Sequence, residues 1–448
     1  MAYNFRACDR DQAFLLPPDV RDWLPSDHLA WFVLDVVDQL DLGPFLKAYR
    51  ADGHGRAAYA PRMLLAVLLY GYCTGIRSSR QIERRCHEDI AFRVLSGNSA
   101  PDHVTIARFR VRHEQALAGL LVQSLKLCAA AGMVRLGLVA LDGTKVEANA
   151  AATANRTHAH LEAQVAELLA QAAEADQVED RDCDVGGHEL PRELAGRAER
   201  LARLQHAKAL LEAEAAARQQ RYQRRVADLT AAARARGQRP RAHIRPRRRD
   251  EAPNPKATVN TTDPDSRFVH GNGRTVQGYN AQAAATCEQV VVAAELTQQA
   301  NDLQQLVPML AAIRTTLAAA GIDDQVQRLA ADSGYWSIAN VAAPNAPELL
   351  IPPARHGRHG KPRKDGKPSE SKSDHLRAVM GAKLASAQGK ACYAQRSRTI
   401  EPVFGQVKTI QGGGRFMRRG LRACAAEWKL LCGTHNLLKL WRRTRSIN

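Results

Sequence analysis

The chain has 448 residues, with 64 Lys and Arg against 46 Asp and Glu and a formal net charge of +18. That length allows two or three domains around a real core, and 45% apolar with only 5% aromatic content predicts an aliphatic, Ala-rich interior. The opening MAYNFRACDRDQAF does not read as a signal peptide and no apolar run is long enough for a membrane span. Nine singly spaced Cys without a C-x-x-C pair argue against a disulfide framework or a zinc site, and for reduced thiols in a cytosol.

The positive charge is local. From Ala354 to Asn448 there are 22 Lys and Arg against 5 acids, and from Arg234 to Arg249 eight Arg and no acid. Patches of this kind imply a polyanionic partner, nucleic acid first.

In chain order, residues 1–130 read as helical. RMLLAVLLYGY is apolar on most faces and is expected to be buried; SSRQIERRC begins a helix capped by Ser78 or Ser79. After the turn SGNSAPD, HVTIARFRVRH predicts a helix capped by Thr105 and carrying Arg108, Arg110 and Arg112. Helix, turn and Arg-bearing helix resemble a helix-turn-helix, although a helical domain with a solvated basic face has the same pattern. Residues 151–256 form an Ala/Glu/Arg/Leu-rich insertion, predicted as a helical hairpin or short coiled coil. It is interrupted at CDVGGHELP and followed by the basic tract RPRAHIRPRRR. Strand signals return in TVQGYNAQAAAT, EQVVVAAELT, VQRLAADSGYW and ELLIPP, with a helix between, started by Asn301 or Asp302 and ended by Gly321. A Gly/Lys-rich loop precedes a last helical segment from about Gln395, with Glu401 near its start.

Two apolar strands end on an acid. LVAL runs into Asp142 and RLAA into Asp332. Taken singly, Asp142-Gly143 reads as a turn and Asp332 as a helix cap. Taken together, the two acids would meet at one sheet edge if their strands are neighbours, and would raise each other's pKa unless a cation neutralises them. Oxygen donors without His or Cys suit Mg²⁺ or Mn²⁺. A third acid would complete a two-ion site for phosphodiester chemistry. Glu401 is the candidate, with Lys408 two helical turns on along the same face; Glu427 is its competitor.

The ordered blocks LDGTKVEANA, NTTDPDSR, VQGYNAQAA, NDLQQLVPML, ADSGYW, RTIEPVFGQVK and LLCGTHNLLKL resemble a bacterial insertion-sequence transposase of the DDE type, closest to the eleven-eighty-two group. The resemblance implies an α/β fold: an RNase H-like catalytic domain with a mixed sheet, an N-terminal helical DNA-binding domain (1–130) and a helical insertion (151–256). The catalytic domain would be split over 131–150 and 257–353, followed by a basic linker (354–394) and a catalytic helix with a basic tail (395–448). It implies Asp142, Asp332 and Glu401 as catalytic, metal-binding acids for two Mg²⁺ or Mn²⁺ ions. A Tyr-Arg-Glu-Lys signature maps onto Tyr393, Arg396, Glu401 and Lys408, with Arg398 an alternative because the Arg-to-Glu spacing is one residue long.

The implied reaction is cleavage at terminal repeats and joining of 3′ ends to target DNA, in a homodimer in the bacterial cytoplasm at the nucleoid, with no membrane partner. Arg108, Arg110, Arg112, Arg415, Arg418 and Arg419 are expected to grip DNA, and Tyr335 and Trp336 either to stack on an unpaired base or to pack in the core. A catalytically silent DNA-binding descendant and a hydrolytic nuclease of the same fold are the alternatives.

Overall fold

A computed structural model describes residues 19–50, 57–179, 192–237, 254–271, 273–353 and 372–445. The CDVGGHELP interruption, the tract after Gly237 and the Gly/Lys-rich loop lie outside these residues, the last but for its final four, Lys372 to His375, which are helical and not loop.

Seven helices come first: α1 (Leu29–Gln39), α2 (Gly43–Leu46), α3 (Pro61–Thr74), α4 (Ser79–Glu88), α5 (Ile90–Ser96), α6 (His103–Arg112) and α7 (Glu114–Ala130). As its all-round apolar sequence predicts, α3 is buried from Leu64 to Cys73. The cap of α6 is Asp102, not Thr105: its carboxylate accepts from the Thr105 backbone N–H at 2.8 Å, which a Thr already inside the helix cannot do for itself.

Strand β1 (Leu138–Glu147) is followed by a two-stranded ribbon of β2 (Asn155–Thr157) and β3 (Thr258–Asn260). That ribbon is the base of the helical hairpin α8 (His158–Glu179) and α9 (Arg192–Ala235). Next come β4 (Arg267–Gly271), β5 (Arg274–Thr286), β6 (Val291–Thr297), α10 (Leu306–Ala319), β7 (Arg328–Ala331), α11 (Ile338–Val341) and β8 (Glu348–Leu350). The chain closes with α12 (Lys372–Ala385), α13 (Ala387–Thr409) and α14 (Leu421–Arg445).

The main sheet has the order β4-β5-β1-β7-β8, with β6 also on β5. It is mixed: β1 pairs antiparallel with β5 and parallel with β7. Both faces are covered, which explains the near-continuous burial of Ala-rich β5. On one face, Ala140, Ala283 and Ala285 meet Ile400 and Val403 of α13, Trp428 of α14 and the N-terminal helices in a single core. On the other, Leu141, Ala284 and Leu329 meet α10. The N-terminal helices therefore share their core with the sheet, chiefly through α14, which packs most extensively on α7. Gly433 permits that approach, since a Cβ there would lie 3.2 Å from the Leu121 backbone nitrogen.

Helix α13 starts at Ala387, capped by Ser386, eight residues before the expected Gln395, so Glu401 lies well inside the helix. Pro402 interrupts its ladder by lacking the N–H that would bond the Arg398 carbonyl. The Gln289 side chain donates to that carbonyl at 2.9 Å instead, so the helix continues.

Candidate active site

The parallel register pairs Ala140 with Ala330 and Leu141 with Ala331. The next step along both strands is Asp142 beside Asp332, which is still extended, at the strand spacing of about 5 Å. Alternation puts both side chains on the face covered by α13. The turn expected at Asp142-Gly143 is absent, and β1 runs on to Glu147. Glycine leaves room for the polar side chains beneath it: a Cβ on Gly143 would meet the Gln282 amide nitrogen at 2.3 Å and the Asp302 carboxylate at 2.5 Å, and those side-chain ends would have to shift.

Asp142 accepts from the Gly143 backbone N–H at 2.7 Å and from the Arg396 guanidinium at 2.9 Å. Burial nevertheless pushes its pKa up to about 6, with Asp332 adding to the rise and Arg396 opposing it. Arg396 stays charged: burial works against it, but Asp142 more than offsets that and its pKa is raised. Its guanidinium also lies 5.9 Å from the ring centre of half-buried Tyr393. Asp332 accepts from the Gly334 N–H at 2.8 Å and begins a short 3-10 turn, Ser333–Tyr335.

A polar layer supports the opposite face of the strands. Asp302 accepts from Asn280 and Gln282, each at 2.7 Å, and lies 3.6 Å from the Lys145 ammonium. It does not start α10, which begins at Leu306 after a turn. Fully buried Tyr335 donates its hydroxyl to Gln282, and Trp336 is 6% exposed under Arg377, so neither is placed to stack on an unpaired base. Lys145 and Asp302 were missed as site neighbours; the only sequence signal was their presence in the LDGTKVEANA and NDLQQLVPML blocks.

Glu401 is exposed and, among the described residues, has no ion pair or hydrogen bond through its side chain. It lies roughly 140° round α13 from Arg396 and shares its flank with Lys408. Lys408 is half-buried, and burial followed by the charge of Lys145 lowers its pKa. Arg398 is exposed, and its structural contact runs through its carbonyl. Among the described residues no three Asp, Glu, His or Cys side chains gather closely enough to form a ready-made metal site. The competitor Glu427 is fully buried and bonded to Arg77 at 2.9 Å, far from solvent.

A basic cleft of about 950 Å³ opens between α4 and α6, lined by Ser79, Arg80, Arg108, Arg112, Asn149 and Met417. Arg108 and Arg112 are exposed on it. Arg110 is 7% exposed and turned inward, donating to the Arg77 carbonyl at 2.9 Å and to Ser79, so it holds the cleft together from behind. Past Asn149, exposed Arg415 and Arg419 bond the carbonyls of Ala148 and Asn149 at 3.2 and 3.0 Å. Arg418 is paired with Glu114 at 2.8 Å and mostly covered.

Two family models match the chain. Residues 18–112 match a transposase domain (DUF772), and residues 361–441 match a transposase DDE domain. No curated protein and no solved structure matches it.

Proposed function

We propose, from the premise that these two matches support an insertion-sequence transposase of the DDE type, that the Asp142–Asp332 edge is its catalytic centre. The observation that carries this is the parallel register of Leu141 with Ala331, one step before Asp142 and Asp332, together with the Arg396 guanidinium bonded to Asp142. We further assign the sheet to the RNase H-like class and the chain to the eleven-eighty-two group, acting as a homodimer on DNA at the bacterial nucleoid. No helix among the described residues is long and apolar enough to cross a membrane.

The donor set fits Mg²⁺ or Mn²⁺ in part. Asp142 and Asp332 are hard oxygen donors side by side, whereas Glu401 stands on the exposed flank of α13 and would have to swing inward. Two such ions, when bound, would activate an attacking oxygen and steady the leaving one. In the protein's own part of the reaction, Arg396 releases Asp142 and turns its charge to a phosphate; its bidentate donors suit that task. Lys408, on the flank of Glu401, supplies a second cation for the backbone. The strong mutual repulsion between acids and DNA requires grip from elsewhere, and the cleft of Arg108 and Arg112 with neighbouring Arg415 and Arg419 offers it.

Incubation with Mg²⁺, labelled element-end DNA and a target plasmid tests the reading. Joined products are expected from the wild-type chain and none from Asp142→Asn or Asp332→Asn. Nicking without joining would support a hydrolytic nuclease, and undiminished cutting by either variant would remove the assignment.

A further inference from the structure

The helical insertion divides into two halves that differ in charge and in what they touch. The first half is a paired hairpin: Leu161 of α8 packs with Leu204, Ala207 and Leu211 of α9. Lys208 reaches Glu162 at 3.3 Å and Glu212 at 3.8 Å, and Glu214 takes Arg267 of β4. Ala215 is the last buried residue of α9; none of residues 216–235 is buried. At the helical rise, those residues extend about 30 Å past the end of the pairing.

This second half is basic. Arg218, Arg221, Arg224, Arg225, Arg234 and Arg236 stand there against one acid, Asp228. Among the described residues none of these arginines is paired with a carboxylate, in contrast to Lys208 and Arg267 of the paired half. At 3.6 residues per turn all but Arg234 fall within an arc of roughly 120°, beside the line Tyr222, Val226, Leu229 and Ala233. The chain then continues into a sequence with six more Arg between Gln238 and Asp250.

We propose that residues 216–237 of α9 are an arm that grips the phosphates of duplex DNA away from the Asp142–Asp332 edge. Charge complementarity selects this partner over a second copy of the arm, which would set arginine rows against each other. Duplex DNA presents a charge every ~1.7 Å, so an arm of this length spans about nine base pairs and can meet several phosphates without reading bases. The identity of the DNA rests on the transposase reading; the grip itself rests on the arginine row.

The test uses the full chain and a variant carrying Arg221→Gln, Arg224→Gln and Arg225→Gln, three members of the row. Gln keeps helix propensity, so circular dichroism and melting should be unchanged. Fluorescence anisotropy on a labelled duplex of roughly 40 base pairs, across a KCl series, reads affinity and its salt slope. The variant should bind ~10-fold or more weakly at low salt, with a log–log slope shallower by about 3. Identical slopes and affinities would overturn the arm, as would wild-type binding to anionic vesicles with no loss on duplex DNA in the variant. Nicking is read separately. A chain that never nicks, yet loses slope in the variant, keeps the arm and loses the catalytic reading; equal slopes with intact nicking do the reverse.

Discussion

Arg77–Glu427 and Arg396–Asp142 are arginine–carboxylate pairs of the same length, 2.9 Å, in opposite circumstances. Glu427 is surrounded by donors. Besides Arg77, it accepts from the Tyr72 hydroxyl at 3.3 Å and from the backbone N–H groups of Met417 and Arg418 at 3.0 and 3.1 Å. Arg77 in turn donates to the carbonyls of Gly412 and Arg415, so the pair fixes the loop before α14 against α3 and α4. Asp142 has two donors, a second carboxylate alongside and a raised pKa. A satisfied buried pair is architecture, whereas a carboxylate held near another with too few donors is poised to take a cation.

Substitutions sharpen this contrast, beginning with the largest effect. Asp142→Asn should cut nicking and joining by roughly 100- to 1,000-fold, the scale of losing a central electrostatic group, with little change in melting temperature or in DNA affinity at moderate salt. Glu427→Ala should do the opposite. Stranding the buried Arg77 charge costs about 3–5 kcal/mol in urea unfolding, and any folded fraction should still cut DNA. Catalytic loss in Glu427→Gln at wild-type stability would reverse the two assignments.

Titration separates the pairs next. The folded pKa of Asp142 is about 6, above the ordinary 3.8, so the folded metal-free state holds the proton more tightly than the unfolded state. Stability should therefore fall as pH rises from about 4 to about 6, by at most ~3 kcal/mol, and level off above. Asp142→Asn should remove that part of the slope in urea titrations at several pH values; an unchanged slope would mean the carboxyl is not held in its neutral form. The smallest effects are at the basic cleft. Arg108→Gln or Arg112→Gln should each flatten the salt dependence of DNA binding by about 1 at unchanged stability. Arg110→Gln should lower the melting temperature, because its partners are the Arg77 carbonyl and Ser79.

The contrast also shows which parts of the molecule were legible in the sequence. That LVAL and RLAA are apolar strand segments running into Asp142 and Asp332 was visible locally, although β1 does not end there but continues to Glu147; so were the buried α3, the helical hairpin and strands β5 to β8. Their parallel pairing was not, because register is set by contacts distant in sequence. Asp142-Gly143 has the composition of a turn, yet the glycine answers to Gln282 and Asp302 approaching from other elements. Helical period alone gave Arg108, Arg110 and Arg112 one role; the acceptors that draw Arg110 inward belong to the segment before α4 and to its first residue. Glu401 and Glu427 were rivals as sequence, and burial with four donors distinguishes Glu427. The start of α13 was missed because AQGKACYAQ has no strong periodicity, although Ser386 was there to cap it.

Fe²⁺-mediated backbone cleavage checks the proposal that Asp142 and Asp332 together take the cation. With Fe²⁺ in place of Mg²⁺ and peroxide added to the full chain, mass spectrometry should find cuts beside Asp142 and Asp332. Excess Mg²⁺ and the Asp142→Asn substitution should each suppress them. Cuts only at other sites, or cuts beside Asp142 and Asp332 that survive Asp142→Asn, would show that these two acids do not hold the ion.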